Sequence, residues 1–403
     1  MDSTHICIVA RPMSRPTDRM RIATRFLALG VALFALAGCE QLDGRTRVRK
    51  GNRAFKETRF IDAAAEYEKA LTEVDDPLIH FNLGLAYSKV FKPGFTKPVR
   101  LGVQGTFACN SIPNTKTEAA RVCIKEDDRR FDDCDDKNVC PSSYQCVQSN
   151  LCVIDGPQIA DMAAQHFQVW IKAQPSDDEL KKDLKEAQAE LDEAKAGDNK
   201  SRLSEAEKRV DELQAKDEIR KQMTQVWMDS EQFPKALAYW TELLKEKPND
   251  PEIMGNLAGI NLKANEWRTS IEWYLKVADV TTDPASKVAA YQFIGNVAWS
   301  KLNSKSLNTD ETIELADRGI GALQKGAAIQ PKNPKLVGLQ ASLYNFRGLA
   351  QGASWAAALD RASAQDLQRF SRVLADEAKK AQGAAPATPA PSMSGGPAEK
   401  SGG

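Results

Sequence analysis

The fold is decided by residues 233–280, which read FPKALAYWTELLKEKPNDPEIMGNLAGINLKANEWRTSIEWYLKVADV. Small and aromatic residues recur here at a fixed interval of 34 residues, with Asn256-Leu257-Ala258 between the two copies. The matched positions are Ala236, Trp240 and Leu243, with Pro248 beyond, and then Ser270, Tyr274 and Val277. A period of this length predicts pairs of antiparallel helices that stack on their neighbours.

Further copies of the pattern lie on both sides of this stretch. They comprise Gly51 to Phe55 with Ala63, Tyr67, Ala70, Leu71 and Pro77; Asn82 to Tyr87, including Gly84; Ala163, Phe167, Trp170 and Pro175; Ile294-Gly295 with Gly319, Leu323, Gly326 and Pro331; and Leu336 to Leu349. These residues resemble the tetratricopeptide repeat (TPR) over about 47–90 and 158–350. The resemblance implies an all-α solenoid of helical hairpins. The alternative is an irregular helical bundle.

Domain boundaries follow from interruptions in the repeat. The second helix expected after Tyr87 is delayed by roughly 70 residues, so we infer an insert at an inter-helix turn, which repeats tolerate because loop-closure entropy grows slowly with length. The predicted segments are first repeats at 47–90, an insert at 91–157, a returning helix at 158–176, a coiled-coil hairpin at 177–215, further repeats at 216–350, capping helices at 351–381 with a polar outer face, and a disordered Ala/Pro/Gly/Ser-rich tail at 382–403.

The hairpin prediction depends on two apolar stripes. Steps of four and three residues connect Leu180, Leu184, Ala187, Leu191 and Ala194, and then Leu203, Ala206, Val210 and Leu213. Heptad stripes on two helices predict an antiparallel coiled coil. Gly197 and Asn199 supply the helix end and the next helix start. A purely structural hairpin and a partner-binding one both remain open.

The insert carries six of the eight cysteines: Cys109, Cys123, Cys134, Cys140, Cys146 and Cys152. The other two, Cys7 and Cys39, lie in the amino-terminal segment. An even number of cysteines in an exported chain predicts disulfides, with fifteen possible pairings. The spacing is similar to that of small cysteine-rich secreted modules, which implies a loop-rich unit. Zinc is the rival, although the spacing is wider than its usual sites use. Aspartates at 127, 128, 132, 133, 135 and 136 offer calcium ligands, but a solvated acidic face is the simpler interpretation.

The amino terminus predicts export and lipidation. Arg21 and Arg25 precede an apolar block at 26–37 that is too short to span a bilayer. The run Leu36-Ala37-Gly38-Cys39 resembles a bacterial lipoprotein signal, with residues 1–38 removed, translation starting at Met20, and acyl chains such as palmitate on Cys39. The resemblance implies an anchor, a short tether at 39–46, and a place in a Gram-negative cell envelope, with Glu40 favouring the outer membrane. An ordinary secretory signal is the alternative.

Composition and missing motifs argue against several function classes. The chain has 403 residues, a formal net charge of zero and 42% hydrophobic residues, so no basic excess points to nucleic acid. Phosphate-binding, nucleophile-elbow and zinc-protease motifs are missing. His80 and His166 fall inside helical patterns, where packing explains them better than catalysis. The seven tryptophans, Trp170, Trp227, Trp240, Trp267, Trp273, Trp299 and Trp355, are expected to fill the interior.

We therefore predict a non-enzymatic scaffold without cofactor or metal. In the TPR family the first helices of each pair line a groove that binds peptides or partner helices. The resemblance places Asn52, Asn82, Asn256 and Asn296 there, and amides can both donate to and accept from a peptide backbone. The expected partner is an envelope protein or peptide segment, in outer-membrane, secretin or pilus assembly. The alternative is a ligand-binding role for the cysteine-rich insert, displayed by an inert solenoid; a third, enzymatic reading on peptidoglycan lacks a catalytic constellation.

Overall fold

The computed structural model describes residues 43–93, 97–124, 131–134, 140, 144–197 and 199–383. This part of the chain is nearly all-α, as predicted. Its helices are α1 (43–56), α2 (Phe60–Leu71), α3 (Pro77–Val90), α4 (Phe107–Ser111), α5 (Gly156–Ala173), α6 (Asp177–Ala196), α7 (Lys200–Asp229), α8 (Phe233–Glu246), α9 (Pro251–Lys263), α10 (Trp267–Val280), α11 (Pro284–Asn303), α12 (Thr309–Ile329), α13 (Pro334–Ala350) and α14 (Trp355–Gly383). Its strands are β1 (Val99–Val103), β2 (Lys116–Ile124), β3 (Phe131–Asp133) and β4 (Gln145–Ile154).

The described residues divide into two compact units. The first contains the described residues up to Phe91, those from Lys97 to Asp155, and Gln165–Pro175. The second contains the described part of Lys92–Thr96, then Gly156–Ala164, and the described residues from Ser176 onward. Each unit has its own helix pairs, and each is described here by itself.

Many of the first helices of the pairs begin in the same way. An aspartate or asparagine occupies the N-cap and proline follows at the first helical position, in Asp76-Pro77, Asp250-Pro251, Asp283-Pro284 and Asn333-Pro334. Each cap side chain accepts a hydrogen bond from the backbone of the first turn, for example Asp76 from Leu78 N at 2.8 Å. Proline suits this position because its missing N–H would be unpaired there anyway.

The turns inside the pairs also repeat. Thr58, Glu231 and Asn265 each adopt a left-handed backbone, with φ of 58°, 60° and 69°. In all three turns the next residue donates its N–H to a carbonyl five residues back, as Arg59 does to Ala54 and Glu266 does to Asn261. Glu231 and Asn265 lie 34 residues apart, so the sequence period is also a period of backbone geometry.

Glycines on first helices allow second helices to approach closely. A Cβ on Gly51 of α1 would lie 2.5 Å from the ring of Tyr67 on α2. A Cβ on Gly84 of α3 would lie 2.5 Å from the ring of Phe167 on α5. Such distances are shorter than non-bonded carbon–carbon contacts allow, so each ring occupies the space that a side chain on the glycine would need. The pair α3/α5 therefore packs as α1/α2 does, although the insert separates its helices.

The predicted coiled-coil hairpin is confirmed in the second unit. Helices α6 and α7 pack through Ala187, Leu191, Ala194, Ala206 and Val210, with Leu184, Leu203 and Leu213 beside them. Asn199 caps α7, as expected, by accepting from the backbone N–H of Ser201 and Arg202. Helix α7 does not end near residue 215 as the predicted segment does. It continues to Asp229 and buries Met223 and Trp227, because its second half pairs with α8.

The insert is more regular than the loop-rich unit that its composition predicts. It forms a four-stranded antiparallel sheet with the order β1-β4-β2-β3. Val122, Leu151 and Val153 form a small core on this sheet. Val99 pairs with Ile154, so the two ends of the insert lie side by side. The sheet therefore brings the two ends of this long connection together, as a short turn would.

The last helix does not carry the polar outer face expected of a cap. Ala357, Asp360, Ala364 and Leu374 are buried, but Trp355 is 79% exposed. Three further apolar side chains, Leu359, Phe370 and Val373, are also exposed. The capping role of this segment stays a prediction. Within the described residues, every helix is too short or too polar to cross a bilayer.

Candidate functional site

The four asparagines predicted to bind a partner lie on first helices. Asn52 is on α1, Asn82 on α3, Asn256 on α9 and Asn296 on α11. Asn52 Oδ1 accepts a hydrogen bond from the buried Tyr67 hydroxyl at 2.7 Å, and Asn256 Nδ2 donates to Glu252 O on its own helix at 3.0 Å. Asn82 is half-buried and Asn296 is exposed. Asn296 is thus the best placed of the four to contact another molecule.

An exposed aromatic side chain lies beside Asn296. Phe293 precedes it by three residues, on the same face of α11, and is 50% exposed. Its ring stacks on Tyr274 of α10 with the centroids 5.3 Å apart, so its orientation is fixed before any partner arrives. Burial raises the pKa of Tyr274, which keeps its hydroxyl neutral. Sequence reasoning missed Phe293 because an aromatic residue at helical spacing normally packs inside.

The expectation that all tryptophans fill the interior is wrong for two of them. Trp170, Trp227, Trp240 and Trp267 are buried, and Trp273 is half-buried beneath the ammonium of Lys276. Trp299 is 42% exposed and Trp355 is 79% exposed. Both lie on helices whose other faces already pack against neighbours, so helical spacing alone did not distinguish the inner face from the outer one.

A cluster of charges organises the start of the hairpin in the second unit. The Asp177 carboxylate lies 2.8 Å from Lys216 Nζ, 2.9 Å from Arg220 Nη2 and 3.0 Å from Lys247 Nζ. Burial alone would raise the pKa of Asp177, but hydrogen bonds from Arg220, Lys216 and Lys247 outweigh it and hold that pKa below its usual range. The cations are satisfied within the chain, so this cluster fixes α6 against α7.

The six cysteines form three pairs. Cys109 pairs with Cys152, Cys123 with Cys140 and Cys134 with Cys146, with Cα–Cα distances of 5.7, 5.5 and 6.0 Å. These distances are normal for disulfides. The Sγ atoms of Cys123, Cys134 and Cys140 also lie within 4.8 Å of one another, but each is already bonded to another sulfur. The structure thus gives one of the fifteen pairings that the sequence left open.

The two histidines within the described residues meet although they are 86 residues apart in sequence. His80 lies on α3, His166 on α5, and their Nδ1 atoms are 2.8 Å apart. His80 Nε2 lies 3.0 Å from Asp75 Oδ1, and His166 Nε2 lies 3.7 Å from Glu68 Oε1. Both imidazoles are largely buried, with 14% and 16% of the side chain exposed. The sequence favoured packing roles for both histidines and did not predict this contact, although the repeat places both in one helix pair.

A tyrosine completes this histidine cluster. The Tyr87 hydroxyl donates to Glu68 Oε1 at 2.5 Å, and its ring stacks over His166 with the centroids 5.9 Å apart. Burial, together with the Glu68 charge, raises the pKa of Tyr87 well above its ordinary value. The hydroxyl therefore stays a donor and holds the Glu68 carboxylate in place beside the imidazole of His166.

Some predicted features lie outside the described residues. These are the signal segment with Cys39, most of the acidic stretch proposed as a calcium site, and the tail after residue 383. Lipidation, calcium binding and tail disorder stay predictions.

Comparisons with known proteins identify no family for this chain. No family model and no curated protein matches the chain. Among solved structures it is similar to the TPR domain of P58(IPK), with 11% identity, 84% of this chain and 99% of that chain covered, and a TM-score of 0.17. It is also similar to yeast Tom70, with 12% identity, 83% and 73% covered, and a TM-score of 0.15. Scores this low support no functional argument, so the TPR-like assignment depends on the chain's own repeated pairs and turns.

Proposed function

We propose that this chain is a non-enzymatic scaffold in a Gram-negative cell envelope, anchored by acyl chains on Cys39, that binds an extended segment or a helix of another envelope protein. The disulfides of the insert support an oxidising compartment, because such bonds persist outside the cytoplasm. Firm anchoring takes two or more acyl chains, as the lipoprotein resemblance implies. Assembly of outer-membrane proteins, or of a secretin or pilus, is the kind of process that such a scaffold serves.

The observation that carries the binding proposal is that Phe293 and Asn296 are both exposed on one face of α11. An exposed ring fixed by Tyr274 offers apolar contact at low entropic cost. The neighbouring exposed amide can donate to and accept from a peptide backbone. Together they form a small recognition surface on a first helix, which we call the α11 patch.

The α11 patch can be tested by site-specific crosslinking in cells. A photo-crosslinking residue at position 296 is expected to capture one envelope protein, whereas the same residue at position 272, an exposed glutamate on α10, is expected to capture none. Phe293→Ala should reduce capture at position 296 at least fivefold, because it removes the apolar contact. Equal capture at both positions, or capture unaffected by Phe293→Ala, would contradict the proposal.

The lipid anchor needs a separate test. Cys39→Ser should move the protein from the membrane to the soluble fraction.

A second function is favoured by the insert itself. Three disulfides and a four-stranded sheet give it a framework of its own, held against α2 through α4, which suits display of a ligand-binding surface. Because Val99 pairs with Ile154, residues 99–154 can be replaced by a short Gly-Ser linker without separating α3 from α5. Loss of partner capture with unchanged helicity would favour the module, and unchanged capture would favour the α11 patch.

A further inference from the structure

The last helix packs one face against α13 and leaves the opposite face exposed. The buried side chains of α14 are Ala357, Asp360, Ala364 and Leu374. Asp360 accepts hydrogen bonds from Nε and Nη2 of Arg347 on α13, at 2.8 and 2.7 Å. Further along the helix, the Ser371 hydroxyl donates to Pro334 O at 2.9 Å. These contacts hold α14 at two points, so the face that it turns outward is fixed.

The outward face of α14 carries a row of exposed residues with the spacing of a coiled coil. They follow one another in alternating steps of four and three residues, as the a and d positions of a heptad do. We call this row the α14 stripe: Trp355, Leu359, Ala362, Asp366, Arg369, Val373, Asp376 and Lys380. The exposed ring of Phe370 lies directly beside it. Large apolar side chains grouped on an exposed surface mark an interaction site.

The order of charges makes the α14 stripe complementary to a second copy of itself. In an antiparallel helix pair, the a positions of one helix face the d positions of the other. When two copies of residues 355–380 overlap along their whole length, Asp366 of each copy lies opposite Arg369 of the other. Lys380 lies opposite Trp355, where an ammonium group over an indole ring is favourable. Like charges face each other nowhere along the stripe in this register.

We propose that two copies of this chain pair through their α14 stripes, antiparallel about a twofold axis between residues 367 and 368. A twofold interface uses the same surface on both copies, so it requires a surface that is complementary to itself. The overlapping helices would extend about 39 Å at 1.5 Å per residue. Leu359 faces Asp376 in this register, so the interface is partly polar and the dimer dissociates reversibly.

Other arrangements of the α14 stripe fit less well. A parallel pair would place Asp366 against Asp366 and Arg369 against Arg369, and like charges in contact oppose association. A bilayer surface would have to accept the Asp366 carboxylate, which lies in the middle of the stripe, and a carboxylate is costly to remove from water. The antiparallel pair gives this carboxylate a cation instead.

The test measures self-association by sedimentation equilibrium. The purified full chain carries Cys39→Ser, so that acyl chains cannot cause association, and it should show a reversible monomer–dimer equilibrium. Asp366→Arg should weaken dimerisation at least about tenfold, because arginines then face each other across the interface. Arg369→Asp should weaken it similarly, because carboxylates then face each other.

Mixing the two charge variants separates contacts between copies from contacts within one helix. An equimolar mixture of Asp366→Arg and Arg369→Asp should restore the dimer, because each variant then meets the opposite charge. Asp366 and Arg369 also form an ion pair within one helix. That pair cannot explain a restored dimer, because mixing leaves each helix unchanged.

Arg361→Asp is the matched control, since it reverses an exposed charge of α14 that lies off the stripe and should leave the dissociation constant unchanged. Circular dichroism and thermal melting check that each variant folds. A wild-type chain that stays monomeric would overturn the proposal, as would a mixture that associates no better than its separate components. Monomers that instead bind phosphatidylglycerol vesicles, and lose this binding with Trp355→Ala, would overturn it by assigning the stripe to a lipid surface.

Discussion

Two helix pairs of the first unit make the same contact with very different connections. Helices α1 and α2 are joined by residues 57–59, whereas residues 91–155 separate α3 from α5. In both pairs a glycine of the first helix packs against a large ring of the second, Gly51 on Tyr67 and Gly84 on Phe167. Connection length therefore does not decide the packing. A long insert is tolerated because its own sheet brings its ends together at Val99 and Ile154.

The largest expected effect tests whether the two contacts are energetically equal. Tyr67 and Phe167 are 2% and 0% exposed, so replacing either with alanine should lower the free energy of unfolding by about 3–5 kcal/mol. Urea denaturation measures both losses. Val169→Ala, at a 42% exposed position of α5, should cost much less. If Phe167→Ala cost under about 1 kcal/mol, the interrupted pair would not be equivalent to the uninterrupted one.

A smaller effect tests whether the insert is a closed module. Replacing Cys109 and Cys152 with alanine removes a bond across 43 residues and should destabilise the insert by about 2–4 kcal/mol. Hydrogen exchange should rise in β1 and β4 but change little in α3 and the end of α5. The same change at Cys134 and Cys146, only 12 residues apart, should have a smaller effect. Equal loss of protection in α3 would mean that the pair depends on the intact insert.

The smallest effect concerns the short connection. Thr58 adopts a left-handed backbone with φ of 58°, which is unfavourable for a β-branched residue. Thr58→Gly should therefore stabilise the protein, by about 0.5–1 kcal/mol. Asn265→Gly is the matched control, because asparagine already tolerates its φ of 69°, so little change in melting temperature is expected. A fall in melting temperature for Thr58→Gly would show that the turn holds no such strain.

The sequence predicted more of the fold than of the candidate sites. The recurrence of Ala236 and Trp240 as Ser270 and Tyr274 identified the helix pairs, since a period of 34 residues is visible along the chain. The repeat pattern also predicted that Asn296 lies on a first helix. Its neighbour Phe293 was not identified, because exposure depends on which faces of α11 the adjacent helices cover. The pairing of six cysteines was equally inaccessible, since the spacing in the chain does not fix distances in space.

The order of residues was enough to predict the local and periodic features: the helical repeat, the two heptad stripes and the crowding of cysteines into one segment. These depend on residues within one or two turns of each other, or on a fixed interval. Three-dimensional packing was needed to show that His80 and His166 meet at 2.8 Å, that Cys109 joins Cys152, and that Trp355 is exposed on the last helix. These contacts join distant segments, so they follow from how whole helices and strands pack.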